Sequence, residues 1–223
     1  MKKFIFLGLF FMGILSLQAQ TTQDEPHLAG IRLFTGFSSG GLFDEVGELV
    51  VPGIGLDYLY QVNKTPFYVG GGFTYARFGT EMTRRQDVLG GVAQSFRIRR
   101  NNNMITGAII GRLMHDVGYG LSPFIEGRFG ALHTYTRSRI RENRLAEPIS
   151  SGTEQFDWAA FYEVGAGLNY AIPQSTVKVE LSMTYFNTLG ELDFLTRRDA
   201  IYSPEGDLAL NVRRSVFLLW VPR

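Results

Sequence analysis

Residues 157–171 read Asp-Trp-Ala-Ala-Phe-Tyr-Glu-Val-Gly-Ala-Gly-Leu-Asn-Tyr-Ala, and this stretch decides the fold. Every second residue from Trp158 to Tyr170 is uncharged, whereas the residues between them include Glu163 and Asn169. Successive side chains of a β-strand point to opposite faces, so the pattern predicts a strand with one apolar and one polar face. At about 3.3 Å per residue and a tilt near 40°, such a strand crosses roughly 30 Å, the thickness of a membrane's hydrocarbon core.

Seven further segments show the same alternation, separated by turn residues or charged stretches. The connections near 63–66, 118–120 and 172–174 are short, and the four others are long and charged. Outer-membrane barrels alternate short periplasmic turns with longer extracellular loops in this way. The sequence therefore predicts an all-β fold, a closed antiparallel eight-stranded up-and-down transmembrane β-barrel. The predicted strands are 28–37, 51–62, 67–78, 103–114, 122–136, 157–171, 175–187 and 208–221.

The N-terminus predicts export. Lys2 and Lys3 precede an apolar run at 4–17, and the small residue Ala19 follows, which is the pattern of a cleaved secretory signal peptide. The run is shorter than the roughly 20 residues of a transmembrane helix, and no later apolar stretch reaches that length. We therefore expect a signal peptide at 1–19, a short tail at 20–27, a barrel domain at 28–223 and an outer-membrane location.

The polar face of each predicted strand points into the lumen if the apolar face points to lipid. An eight-stranded barrel is just wide enough for side chains to fill, and an unpaired charge there costs roughly several kcal/mol. We therefore expect the inward charges to pair across the lumen and to close it. The predicted network contains Arg32, Asp57, Arg112, Glu126, Arg128, Glu163, Lys178, Glu180 and Arg213.

Glycine-rich strands such as 68–73, Tyr-Val-Gly-Gly-Gly-Phe, and 163–168, Glu-Val-Gly-Ala-Gly-Leu, follow a signal sequence that ends in Leu-Gln-Ala-Gln. With eight alternating segments, the chain resembles the small outer-membrane β-barrel superfamily of OmpX-like, OmpA-barrel-like and PorT-like proteins. The resemblance implies the fold and the location but little about activity, because such barrels serve as anchors, adhesins, secretion components and lipid-modifying enzymes. One departure is the final Pro222 and Arg223, where these barrels commonly finish on an aromatic residue.

The residues that could carry chemistry are few. His27, His115 and His133 fall at different ends of the predicted barrel, so we expect no shared metal site, and the absence of cysteine excludes a thiolate site. A Ser-His-Glu lipid hydrolase would need a serine close to His133, and the nearest downstream serine on that strand is Ser138. We expect no enzyme and no cofactor, with an outer-membrane lipid hydrolase as the alternative.

The long loops differ in charge. Those near 79–102 and 137–156 are rich in arginine, and those near 38–50 and 188–207 are mainly acidic. One interpretation is a solvated surface whose two halves attract each other. The other is that arginines bind lipopolysaccharide phosphates or an anionic partner through bidentate hydrogen bonds. The candidate anion-binding residues are Arg84, Arg85, Arg97, Arg99 and Arg100.

These patterns favour a non-enzymatic outer-membrane barrel with a structural or interaction role through its loops. We expect contacts with outer-membrane lipid, with barrel-assembly machinery during insertion, and with an extracellular or secretion-machine protein. The formal net charge of +1 gives no bias toward nucleic acid, and we expect none. The alternative fold is a periplasmic, lipocalin-like binder of apolar ligands, in which the apolar faces would point inward.

Overall fold

A computed structural model describes residues 26–89, 92–142, 147–194, 200–202, 208–210, 213–215 and 218–222. The predicted signal peptide at 1–19 and most of the tail at 20–27 lie outside these ranges. The elements within them are β1 His27–Ser38, α1 Gly40–Val46, β2 Val50–Gln61, β3 Phe67–Leu89, β4 Val92–Met114, β5 Leu121–Arg141, β6 Ser150–Ala171, β7 Lys178–Leu189, β8 Leu192–Phe194, β9 Ala200–Tyr202, β10 Leu208–Leu210, β11 Arg213–Ser215 and β12 Leu218–Pro222.

Eight of the described strands form a closed antiparallel barrel, which confirms the predicted fold class. Strands β1 to β7 pair in chain order, and β12 lies between β7 and β1. The seam is short on the β1 side, where only Phe37 and Ser38 pair with β12 among the described residues. The short turns are also as predicted: Asn63 and Lys64 adopt the positive φ angles of a tight hairpin turn.

The eighth barrel strand is shorter than predicted. Instead of one strand over 208–221, β10 pairs with β9, β11 pairs with β8, and only β12 joins the barrel sheet. A physical reason lies in β8, whose Leu192 and Phe194 are buried in the barrel and hold β11 beside them. Arg213 therefore lies opposite Phe194 in a separate strand pair, outside the barrel wall.

Two of the predicted loops are strands. β3 and β4 stay paired as far as Leu89 and Val92, and β5 and β6 continue to Ile140 and Ser150. Charged residues do not interrupt these segments, because a strand beyond the apolar band can carry paired charges on one face and solvent-exposed charges on the other. The neighbouring strands end earlier, since β2 reaches β3 only at Ala76 and β7 reaches β6 only at Ala160. We call the resulting four-stranded extension, formed by the strand residues 79–89, 92–102, 136–141 and 150–159, the protruding sheet.

The barrel wall is apolar outside and charged inside. Ile31, Ile109 and Leu181 are each more than 70% exposed, whereas Arg128 and Glu126 are at most 5% exposed. A soluble barrel has the opposite arrangement, so the predicted direction of the strand faces is correct and the lipocalin-like alternative is wrong. No helix among the described residues is long and apolar enough to cross a membrane.

The interior has layers along the barrel axis. The charged side chains occupy the half nearer the short turns. The half nearer the long connections holds an apolar cluster, here called the apolar plug, to which α1 contributes Leu42 and β8 contributes Leu192 and Phe194. These two connecting segments therefore fold into the barrel mouth. The buried residues of the plug are Leu42, Val51, Ala76, Phe78, Met104, Leu132, Phe161, Phe186, Leu192 and Phe194.

Candidate functional site: the charged lumen and the protruding sheet

Arg128 is the centre of the charged network in the lumen. Its two terminal nitrogens each donate to Asp57 across the barrel at 2.8 Å, and its Nε donates to Glu126 on the same strand at 2.5 Å. Glu163 lies 3.8 Å from Nε. One guanidinium on β5 thereby links β2, β5 and β6, and a planar group with five donors suits this role better than an ammonium.

Arg112 extends the network toward β7. Its Nη2 donates to Glu126 at 2.6 Å, its Nη1 donates to Glu180 at 2.6 Å, and its guanidinium lies 4.1 Å above the ring of Phe124. On the other side, Arg32 donates to Asp57 at 3.1 Å and to Thr74 at 2.7 Å. We call the seven joined residues the charged layer: Arg32, Asp57, Arg112, Glu126, Arg128, Glu163 and Glu180.

The charged layer is buried. Its side chains are at most 12% exposed, apart from Glu180 at 29%. Small residues make room for it: a Cβ on Gly72 would overlap Asp57 Oδ1, and one on Gly55 would lie 3.0 Å from Arg32 Nη2. Ion pairs at this depth fix the relative positions of strands, since losing one partner leaves a buried charge uncompensated.

A cavity of about 530 Å3 lies beside the charged layer, between β1 and β7. Arg32, Arg112 and Glu180 line it, and Lys178 lines it with them. Of the predicted lumen residues, seven form the charged layer and Lys178 borders the same cavity. The prediction for Arg213 differs from the structure, because its strand lies outside the barrel sheet, and its side chain lies outside the described residues.

The protruding sheet has one face that continues the barrel interior. On this face, Arg100 is 3% exposed, pairs with Glu81 at 3.1 Å and with Glu154 at 2.5 Å, and Glu154 also accepts a hydrogen bond from Ser138. Arg100 therefore differs from the expectation of an anion-binding residue, since two carboxylates already neutralise it. The side chain of Arg85, another candidate, lies outside the described residues.

The other face of the protruding sheet continues the lipid-facing surface and carries arginines. Register places Arg99 directly opposite Arg139, and it places Arg97 opposite both Arg141 and Arg84. Sequence reasoning weighed the net charge of each loop and missed this sorting into faces. The bulge between Arg77 and Gly79 shifts the register of β3 and thereby brings Arg84 onto the arginine face.

The histidines lie apart and contact aromatic rings. His27 Nδ1 and the Tyr58 hydroxyl share a hydrogen bond of 2.7 Å, and the His133 ring stacks on Trp158 with a centroid distance of 4.2 Å. His133 and Ser138 lie on opposite faces of β5, so these two residues do not support the hydrolase alternative. Among the described residues, no group of three metal-ligating side chains comes together.

The apolar plug is the feature of the lumen that sequence reasoning missed. Its residues on β3 to β7 lie on the inward faces, for which the sequence pattern predicted only a network of charged side chains. The sequence did contain a signal for it. Phe161 alternates in phase with the inward Glu163 on β6, and Phe186 alternates in phase with the inward Glu180 on β7. The ring centroids of these two phenylalanines lie 4.9 Å apart in the structure.

These features identify a fold type. The chain is a small eight-stranded β-barrel with an apolar exterior. No family model matches its sequence, and no curated protein matches it. Its structure is similar to that of Neisserial surface protein A, with 12% identity, coverage of 89% of this chain and 96% of that chain, and a TM-score of 0.40.

A second similarity is to Ail, the attachment invasion locus protein of Yersinia pestis, with 16% identity, coverage of 88% of this chain and 95% of that chain, and a TM-score of 0.37. Ail in complex with the heparin analogue sucrose octasulfate gives 14% identity, coverages of 88% and 95%, and a TM-score of 0.34. The fold of this chain is assigned from its own strand pairing.

Proposed function

We propose that this protein is an integral outer-membrane barrel with a structural or interaction role and no enzymatic activity. The observation that carries the proposal is the inverted surface: exposed Ile31, Ile109 and Leu181 face outward while Arg128 and Glu126 are buried inside. Lipid solvates such an exterior, whereas in water it would be an aggregation-prone apolar patch. Strands β2 to β6 each pair with a neighbour on both sides, which satisfies their backbone groups within the hydrocarbon.

The interior supports a closed lumen. The charged layer occupies the section of the barrel on the turn side, beside the cavity between β1 and β7, and the apolar plug fills the section on the loop side. An ion that entered this cavity would still have to pass through the apolar section to cross the barrel, and moving a charge into apolar surroundings is costly. We therefore expect no ion conductance from this protein.

The protruding sheet supports an interaction role outside the membrane. A transmembrane strand needs roughly 9 to 11 residues, and β3 and β4 each have 23. The surplus length stays paired as a sheet and places a charged surface beyond the bilayer. We propose that this surface meets the partners of the protein, while export by the signal peptide and insertion by barrel-assembly machinery bring it to the outer membrane.

Cell fractionation tests the proposal. We expect the mature protein in the outer-membrane fraction, with a compact gel band in detergent that shifts after boiling, because folded barrels of this type resist detergent. In planar bilayers the purified protein should give no single-channel current. Recovery from the soluble periplasmic fraction without a heat-dependent shift would contradict the proposal, and a steady current would contradict the closed lumen.

A further inference from the structure

The arginine face of the protruding sheet is defined by six side chains on three adjacent strands. The strands β3, β4 and β5 bring these side chains to one surface, which continues the lipid-facing side of the barrel. None of the polar residues between them on this surface, such as Thr80, Asn101 and Thr153, carries a charge. The six are Arg84, Arg97, Arg99, Arg137, Arg139 and Arg141.

Like charges lie directly opposite one another on this face. Arg99 pairs in register with Arg139, and Arg97 with Arg141. Side chains directly opposite across antiparallel strands have Cβ atoms about 5 Å apart, and like charges at that distance destabilise a sheet. Glu81 and Glu154, the carboxylates that pair with Arg100, lie on the other face of the sheet. Arg99 and Arg139 therefore repel each other, and this repulsion lowers the stability of the sheet.

The position of the arginine face along the barrel axis indicates which part of the membrane could supply an anion for it. On β5, Tyr135 and His133 lie just below it, and His133 stacks on the exposed Trp158. Aromatic residues of this kind mark the membrane interface. Arg137 and Arg139 follow Tyr135 by two and four residues, which places them roughly 5 and 10 Å further along the barrel axis at a tilt near 40°. This is the level of the lipid headgroups.

The spacing of the arginines favours a headgroup with several phosphates. Neighbouring strands lie about 4.8 Å apart, and successive outward residues of one strand lie about 6.7 Å apart. Two guanidinium groups can therefore reach one phosphate, and the adjacent pair can reach another on the same molecule. A phospholipid with a single diester phosphate would occupy only part of this grid.

From this geometry we infer that the outward arginine face binds the phosphorylated sugar headgroup of a glycolipid in the outer leaflet and so holds a lipid shell around the barrel. The inference rests on the proposed outer-membrane function. It replaces the earlier candidate set, since Arg100 is excluded by burial and Arg137, Arg139 and Arg141 are added. Arg99 and Arg139 lie at the centre of the face.

The test uses the full-length mature protein in phosphatidylcholine vesicles that contain diphosphorylated lipid A, its dephosphorylated form or phosphatidylglycerol. The dissociation constant is followed by tryptophan fluorescence, and the midpoint temperature Tm by the heat-dependent gel shift. We expect Arg99→Gln/Arg139→Gln to weaken binding of diphosphorylated lipid A by about tenfold or more, and high salt to weaken binding by the native protein. Arg99→Lys/Arg139→Lys should recover part of the affinity, because it keeps charge but loses bidentate geometry.

The sign of the stability change separates binding from a merely structural role. Without lipid A, Arg99→Gln/Arg139→Gln should have a higher Tm than the native protein, because it removes repulsion; with lipid A the order should reverse. Lys64→Gln, which removes a positive charge at the opposite end of the barrel, should leave binding unchanged. A loss of Tm in the double variant without lipid would contradict the inference.

Other outcomes overturn the inference while leaving the proposed function intact. They are equal affinity for dephosphorylated lipid A or phosphatidylglycerol, equally tight binding of a soluble phosphorylated sugar without acyl chains, and no loss of affinity in Arg99→Gln/Arg139→Gln. In each case, the heat-dependent band would still report a folded membrane barrel. Failure of the native protein to insert into vesicles and show that band would instead remove the proposed function.

Discussion

The charged layer and the apolar plug fill the same lumen by opposite means. Around Arg128, buried guanidinium and carboxylate groups satisfy one another over distances of 2.5 to 3.8 Å. Around Phe161, which is 1% exposed, aromatic and aliphatic side chains pack as in the core of a soluble protein. The difference shows that the chemistry of each section of the lumen depends on which elements of the chain supply its side chains. The charged section is built from side chains of the barrel wall alone, whereas the plug needs α1 and β8 to complete it.

The two sections should respond differently to substitution. A charged network depends on every partner, because the loss of one leaves others buried and uncompensated. An apolar cluster loses free energy in proportion to the atoms removed and the cavity left. Substitutions in the two layers can therefore test this difference. Each substitution has a control variant elsewhere in the chain.

The largest effect is expected at the centre of the charged layer. Arg128→Met should lower the free energy of unfolding by about 5 kcal/mol, because Asp57, Glu126 and Glu163 lose a shared cation. Urea unfolding in lipid vesicles, followed by tryptophan fluorescence, measures the change.

The control for Arg128→Met is Arg137→Met on the outward face of the same strand. It should change the free energy by less than about 0.5 kcal/mol. Complete failure of Arg128→Met to refold agrees with the prediction if Arg137→Met refolds. Equal losses in the two variants would show that the ion pairs of the lumen contribute no more than a surface arginine.

A somewhat smaller loss is expected in the apolar plug. Phe161→Ala should cost about 3 to 4 kcal/mol, since the ring is buried and stacks on Phe186. The same unfolding measurement applies. Phe43→Ala, on an exposed position of α1, is the matched control and should cost less than about 1 kcal/mol. A loss below about 1 kcal/mol for Phe161→Ala would mean that the plug is not a packed core.

The sequence predicted the barrel because its alternation is a local property. Trp158 and Glu163 belong to opposite faces of any regular strand, whatever the rest of the chain does. The charged layer was predictable for a related reason, since inward charges in a narrow barrel must find one another. The specific pairing of Arg128 with Asp57 could not be predicted, because it depends on the tilt and stagger of the strands that carry these two residues, which are 71 positions apart in the sequence.

The protruding sheet and the plug could not be read in this way. Charge-rich segments such as 79–102 look like loops, and only their mutual register shows that they pair. The burial of Leu192 and Phe194 depends on the space left inside the barrel, which no local pattern reports. The eighth strand was predicted too long for the same reason. In the structure β11 pairs with β8, and only β12 remains for the barrel wall.

Two adjacent glycines of β3, one facing the lumen and one facing outward, test the packing of the charged layer with a smaller expected effect. Gly72→Ala should cost about 1 to 3 kcal/mol, because the added methyl overlaps Asp57 and lies 2.9 Å from Ile110 in the crowded lumen. Gly71→Ala points outward, meets only Ala108 O at 3.5 Å, and should be neutral or slightly stabilising. Comparison of the two urea midpoints checks the prediction. A larger loss for Gly71→Ala would reverse the assignment of the two faces.

The smallest effect is expected at two buried threonines, Thr184 beside the charged layer and Thr134 on the loop side of the plug residue Leu132. Thr184 Oγ1 donates to Glu163 at 2.5 Å, whereas Thr134 Oγ1 is buried with no hydrogen-bond partner among the described residues. Thr184→Val should cost about 1 to 2 kcal/mol, because the carboxylate loses a donor. Thr134→Val keeps the shape, removes an unpaired hydroxyl and should change the unfolding free energy by about zero or raise it slightly. A loss in Thr134→Val as large as that in Thr184→Val would place a hidden hydrogen-bond partner, such as a buried water, beside Thr134, and the loop-side lumen would then be wetter than its apolar lining indicates.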